Sequence, residues 1–126
     1  MKAKRLDPWE RILIQRRRDG VSQREAADAC GAKSLYQFRL WESGTEAPPA
    51  EVLQNADPRD LKIHERCYLE RVRRGISLKA LADELGVSRW WLCQMERGKV
   101  SSRQLEHRWR RELRPWRGAP VEMARG

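Results

Sequence analysis

Apolar residues in this chain return every three or four positions, and no stretch alternates apolar with polar side chains as a half-buried strand would. Leu81, Leu85, Leu92 and Met95 fall at the spacing of one inward helix face, and Ala26, Cys30, Phe38 and Trp41 repeat the arrangement. Leu105, Trp109 and Leu113 form an i, i+4, i+8 stripe that would pack on the second domain or on a partner subunit. Start and stop signals divide the pattern. Asp7-Pro8-Trp9-Glu10 opens a helix that runs to about Arg18 and ends near Gly20. Ser22-Gln23-Arg24-Glu25 is a capping box for a second helix reaching Cys30, and Gly31 breaks it. Ser34 caps a third, which stops at Gly44, and a short fourth covers 50–55 after Pro48-Pro49. Asp57-Pro58-Arg59-Asp60 repeats the first start signal and predicts a long helix to about Arg74, ended by Gly75. Ser77 and Ser88 cap the next two helices, and Ser101-Ser102-Arg103-Gln104 opens one to about Leu113, where Pro115 ends it. The expected fold is all-α.

The helices come in two matching sets. Gly20 through Ala32 align with Gly75 through Val87 at an offset of 55, and Ser34 through Gly44 align with Ser88 through Gly98 at an offset of 54. Copy one therefore carries one extra residue, in the turn at Ala32-Lys33. Each copy spells two short helices joined by a tight turn, with Ala27 or Ala82 where the helices cross and Gly31 or Gly86 in the turn, where a left-handed backbone suits glycine. Such a duplication predicts two tandem helix-turn-helix domains of about four to five helices each, at 1–57 and 58–114, with a flexible tail at 115–126.

Charge sharpens this picture. The formal net charge is +9, and a basic surface suits a polyanion. Residues 1–58 hold 10 Lys and Arg against 9 Asp and Glu, a net of +1, whereas residues 59–126 hold 17 against 9, a net of +8. No apolar run is long enough for a membrane helix, and the basic start Met1-Lys2-Ala3-Lys4-Arg5 is followed by no apolar core of a signal peptide. Cys30, Cys67 and Cys93 form no CxxC, and His64 and His107 have no ligand-like neighbours, so neither a disulfide framework nor a metal is expected. The simple inference is a reduced, cytoplasmic protein without membrane attachment.

Copy two resembles the lambda repressor/Cro (Xre-type) family across 63–100, on Arg73, Ser77, Leu81-Ala82, Gly86-Val87-Ser88, Leu92 and Glu96-Arg97-Gly98. Copy one, across 9–55, is a divergent match that keeps Ser22-Gln23, Ala27, Gly31, Ser34, Glu42 and Gly44, and its turn also resembles that of some antitoxin repressors. The resemblance implies that the helix at 88–97 lies in the major groove of double-stranded DNA. Arg89 would then pair with a guanine edge, Gln94 with adenine, and Trp90 with a thymine methyl, while Arg97 shares the outward face. Trp91 either joins them or packs on the first helix. Ser77, Lys79, Ser88 and Lys99 sit where the family contacts phosphate. One departure is Leu78, which stands where the family often has the Gln that copy one keeps as Gln23.

The third helix of copy one, at 34–42, presents Leu35, Tyr36, Gln37, Arg39 and Leu40. Either it reads DNA, with Gln23, Ser34, Tyr36, Gln37 and Arg39 in contact, or it binds a protein through Leu35, Tyr36 and Leu40. The resemblance thus implies a transcriptional regulator, most simply a repressor of mobile-element type, acting alone or as a homodimer. The alternative is an adaptor, anti-activator or antitoxin-like, whose first domain holds a protein partner. No nucleophile–base constellation or phosphate loop points to an enzyme, and no cofactor is expected; Glu42 and Glu96 read as structural residues bonding the backbone or an arginine. RNA binding by stacking also stays open. Arg103, Arg108, Arg110 and Arg111 either meet phosphates or form a solvated face, Trp116 either docks the tail or joins an interface, and Cys93 is either inert or a redox switch.

Overall fold

The computed structural model describes residues 6–117, with side chains through Leu113. The basic start at 1–5, the tail at 118–126 and the side chain of Trp116 lie outside the described residues. Among the described residues every regular element is a helix. They fall into two compact units that meet in sequence between Asp60 and Leu61.

The first unit contains α1 (Pro8–Asp19), α2 (Gln23–Cys30), α3 (Leu35–Ser43) and α4 (Ala50–Gln54). α3 packs on both α1 and α2, and α4 packs on α1. Ile12, Ala27, Phe38, Trp41 and Ala56 form the core, with Phe38 and Trp41 edge to face at 6.2 Å. The second unit contains α5 (Ile63–Arg73), α6 (Leu78–Leu85), α7 (Arg89–Glu96), α8 (Arg103–Arg108) and α9 (Arg110–Arg117). α5 packs against α7, α8 and α9, while α6 packs on α7. Its core is Cys67, Leu81, Ala82, Leu92, Met95, Leu105, Trp109 and Leu113. The stripe of Leu105, Trp109 and Leu113 is thus buried inside its own unit.

Two elements differ from expectation. α5 begins at Ile63 rather than at the Asp57-Pro58 signal. Asp57 faces Arg11 at 3.8 Å and Arg59 at 3.6 Å, and Pro58 is buried, so that stretch is a loop. The start of α5 is set by Glu65, which accepts a hydrogen bond from the Lys62 amide at 2.9 Å. Glu10 does the same for Asp7 at 2.8 Å. The expected single helix up to Leu113 is broken at Trp109 and resumes as α9, which passes through Pro115 to Arg117. Pro115 removes one internal hydrogen bond, close enough to the helix end that the turn persists.

One arrangement fixes the third helix in both units. In the second, Arg71 donates to both oxygens of Glu96, at 2.7 and 3.0 Å, and to the Ile76 carbonyl at 3.0 Å. In the first, Arg16 donates to Glu42 at 2.5 Å and to the Val21 carbonyl at 3.2 Å, while the Gln23 amide donates to the other Glu42 oxygen at 2.8 Å. Glu42 and Glu96 are 7% and 2% exposed. A carboxylate at that depth persists as a charge when ion pairs and hydrogen bonds replace its water. Each clamp ties the end of the first helix, the residue after the following glycine, and the end of the third. The glycines closing the third helices sit against the first helices as well: a Cβ on Gly98 would lie 2.6 Å from His64, and one on Gly44 would lie 3.0 Å from Trp9.

The clamps predict unequal costs. Arg71→Ala removes both guanidinium bonds to the buried Glu96 and should lose about 3 kcal/mol of stability. Arg16→Ala leaves Glu42 with the Gln23 amide and should lose about 1 kcal/mol less. Urea unfolding of each variant measures both, and equal small losses would contradict the clamp. Burial also pushes the Cys67 thiol from its ordinary 9.0 up to about 12, with Glu106, Glu96 and Glu70 adding to the shift and Arg66 opposing it. The folded state therefore favours the neutral thiol. Its contribution is intact below pH 9.0 and is lost as pH rises toward 12. Urea midpoints above pH 9.0 should fall more steeply for the wild type than for Cys67→Ala.

Candidate nucleic-acid interface

The third helix of each unit is held at both ends. Ser88 Oγ accepts from the Trp91 amide at 3.0 Å, and Ser34 Oγ accepts from the Gln37 amide at 3.0 Å. The far ends are the clamped Glu96 and Glu42. Both helices have a buried row, Leu92 and Met95 in α7 and Phe38 and Trp41 in α3. What remains faces outward.

On α7 the outward residues are Arg89, Trp90 and Trp91, with Cys93 and Gln94 half-buried beside them and Arg97 and Lys99 exposed just beyond. Trp90 is 65% exposed and Trp91 42%, and their rings are tilted against each other at 6.1 Å. Trp91 is therefore not folded away into the core. The one acid within α7, Glu96, is turned inward, so the exposed surface of this helix is cationic, aromatic or neutral. Arg97 donates to Cys93 Sγ at 3.4 Å. Cys30, Cys67 and Cys93 are all free thiols.

The residues expected at phosphate are exposed too. Ser77 Oγ caps α6 by accepting from the Ala80 amide at 3.0 Å. As acceptors in their caps, the Ser77 and Ser88 hydroxyls keep their own proton for a further acceptor. Lys79 pairs with Asp83 at 2.9 Å, with both side chains mostly exposed, and such surface pairs yield readily to a competing anion. Leu78, at the position of Gln23, is half-buried and packs against the core of its unit. It cannot donate to Glu96, and there Arg71 makes the second bond to the carboxylate itself.

On α3 the polar residues are tied up locally. Gln23 Oε1 accepts from Arg39 Nε at 3.1 Å while its amide serves Glu42. Gln37 Oε1 accepts from the Lys33 amide at 2.8 Å. That bond closes the longer turn of copy one, using the side chain at the position that Trp91 occupies in copy two. Tyr36 is 71% exposed, and Leu35 and Leu40 are half-buried. Tyr36 and Trp90 share one place in the repeat, so both units put an exposed aromatic ring on the first turn of the third helix. Of the late arginines, Arg108 pairs with Glu84 and lies over the Trp109 ring at 4.5 Å, whereas Arg103, Arg110 and Arg111 are exposed.

Arg16 and Arg71 escaped the reading of the sequence, which placed weight on Arg73 instead. Arg73 pairs with Glu70 on its own helix at 3.3 Å. The signal was present: extending the alignment upstream at the same offset of 55 matches Glu10 with Glu65, Arg11 with Arg66 and Arg16 with Arg71. No family model, curated protein or solved structure matches the chain.

Proposed function

We propose that the chain is a sequence-specific double-stranded DNA-binding regulator of transcription, built as tandem helix-turn-helix domains of lambda repressor/Cro type, with α7 in the major groove. The observation that carries this reading is α7 itself. It is capped by Ser88 and clamped through Glu96, and it exposes Arg89, Trp90, Trp91 and Arg97 with no acid among them. Rigid presentation lets a short side chain read a base edge, because little ordering is left to occur on binding. Arg89 suits a guanine edge and Gln94 an adenine edge. Ser77, Ser88, Lys79 and Lys99 supply the phosphate contacts. The role of repressor in a mobile element follows from the family resemblance, and the regulator is cytoplasmic and nucleoid-associated.

The first unit supports a second reading. It is close to neutral, Gln23 and Gln37 are engaged in its own scaffold, and Tyr36 stands exposed between half-buried Leu35 and Leu40. A protein-binding adaptor role for α3 fits these facts, whereas Arg39 and Tyr36 leave it some capacity for DNA.

Two outcomes test these readings. Binding to a random-sequence duplex, followed by fluorescence anisotropy, should weaken steeply as salt rises, and Lys79→Ala and Lys99→Ala should each lower the log–log slope by about one. Salt-independent binding would sink the DNA reading. For the adaptor reading, Leu35→Ala/Tyr36→Ala should leave DNA affinity within about twofold and abolish co-purification of a partner. An equal loss of DNA binding would instead assign α3 to DNA.

A further inference from the structure

The two units differ most where their fourth helices lie. Aligning the first residues of α4 and α8, Ala50 with Arg103, sets an offset of 53, which pairs Val52 with Leu105 and Ala56 with Trp109. In the second unit Leu105, Trp109 and Leu113 are 0%, 0% and 2% exposed and complete the core over Cys67 and Leu81. The first unit has no counterpart of α9. The places of Cys67 and Leu81 are held by Ile12 and Ala26, those of Leu85 and Trp109 by Cys30 and Ala56. Three of these four exchanges remove bulk. The result is an open, largely apolar groove of about 340 Å³, lined by Ile12, Val21, Ala26, Ala29, Cys30 and Ala56 among others.

We infer that this groove is a docking site for an amphipathic helix of a protein partner, one that supplies the large apolar anchors and a basic flank that α8–α9 would need to sit there. The second unit is the template. There Arg74 pairs with Glu112 of α9 at 3.4 Å and lies over the Trp109 ring at 5.5 Å. The residue at the position of Arg74 in the first unit is Asp19, which lines the groove together with Glu25. Hydrogen bonds from the Ser22 amide and hydroxyl hold the Glu25 carboxyl below its ordinary pKa, so it stays ionised. Arg16, the cation of the lining, is bound to Glu42. The charge opposite the flank of the incoming helix is thus reversed relative to the template, and the occupant carries Lys or Arg where α9 carries Glu112. A second copy of this chain is disfavoured because its matching stripe is already buried in its own core. The lining comes from α1, α2 and α4, from Val21, Asn55 and Ala56 beside them, and from Phe38, not from the outward residues of α3 or α7, so the inference does not rest on the DNA reading.

The probe is a synthetic amidated peptide of residues 102–113 carrying Glu112→Arg, titrated into ¹⁵N-labelled full-length protein. Chemical-shift changes should map to residues 12–30 and 52–56. Asp19→Lys, a favourable residue for a helix end, should weaken binding by about fivefold. Ala26→Leu, which restores from within the bulk that Leu81 supplies in the second unit, should weaken binding without lowering the thermal midpoint. The inference is overturned if the peptide shifts nothing, or if the changes are confined to residues 63–113, which would mean exchange with α8–α9. It is also overturned if indole alone perturbs the groove and the peptide does not, which would make the site a small-molecule cavity.

Discussion

A carboxylate buried at the end of a helix is costly unless something replaces its water, and this chain solves that problem twice in the same way. Glu96 takes two bonds from Arg71, and Glu42 takes one from Arg16 and one from Gln23. Each arginine also reaches the backbone carbonyl just past the glycine that ends the first helix. Three segments are locked by one guanidinium, so the third helix cannot roll without breaking a buried ion pair. The serine caps fix its other end. The direction in which Arg89, Trp90 and Arg97 project follows from these bonds, and so does any function assigned to them.

The same scaffold is completed differently in the two units. In the second, the space beyond the clamp is filled by Leu105, Trp109 and Leu113, and α7 is left with a basic aromatic surface. In the first, Gln23 has been drawn into the clamp and Gln37 into the lengthened turn. The polar reach of α3 is correspondingly small, and its fourth helix leaves a groove open. The second unit exposes a basic, aromatic helix face. The first exposes apolar surface around Tyr36 and along the groove.

Much of this was written in the sequence, and the failures have physical causes. Ser22, Ser34, Ser77 and Ser88 each cap a helix, as expected, because a serine followed by a run of helix formers has few other uses. The inward rows of α6 and α7 were legible from spacing alone. Asp57-Pro58 misled because a start signal is local, whereas Asp57 is held by Arg11 across the unit. Pro115 misled for the reverse reason, as a proline near a helix end costs little. The clamping arginines were visible as a repeat but not as partners, since nothing in spacing says which of three neighbouring arginines turns inward. The groove was illegible in either copy by itself and emerges from comparing Ala56 with Trp109.

The central claim is that α7 reads base sequence, and a random-library DNA selection tests it most directly. It would use the wild type, Arg89→Ala/Gln94→Ala and Gln37→Ala/Arg39→Ala. The account predicts that the wild type enriches a defined motif and that the Arg89/Gln94 variant still binds DNA but relaxes specific positions within it. A motif unchanged by that variant, or no motif at all from the wild type, would contradict it.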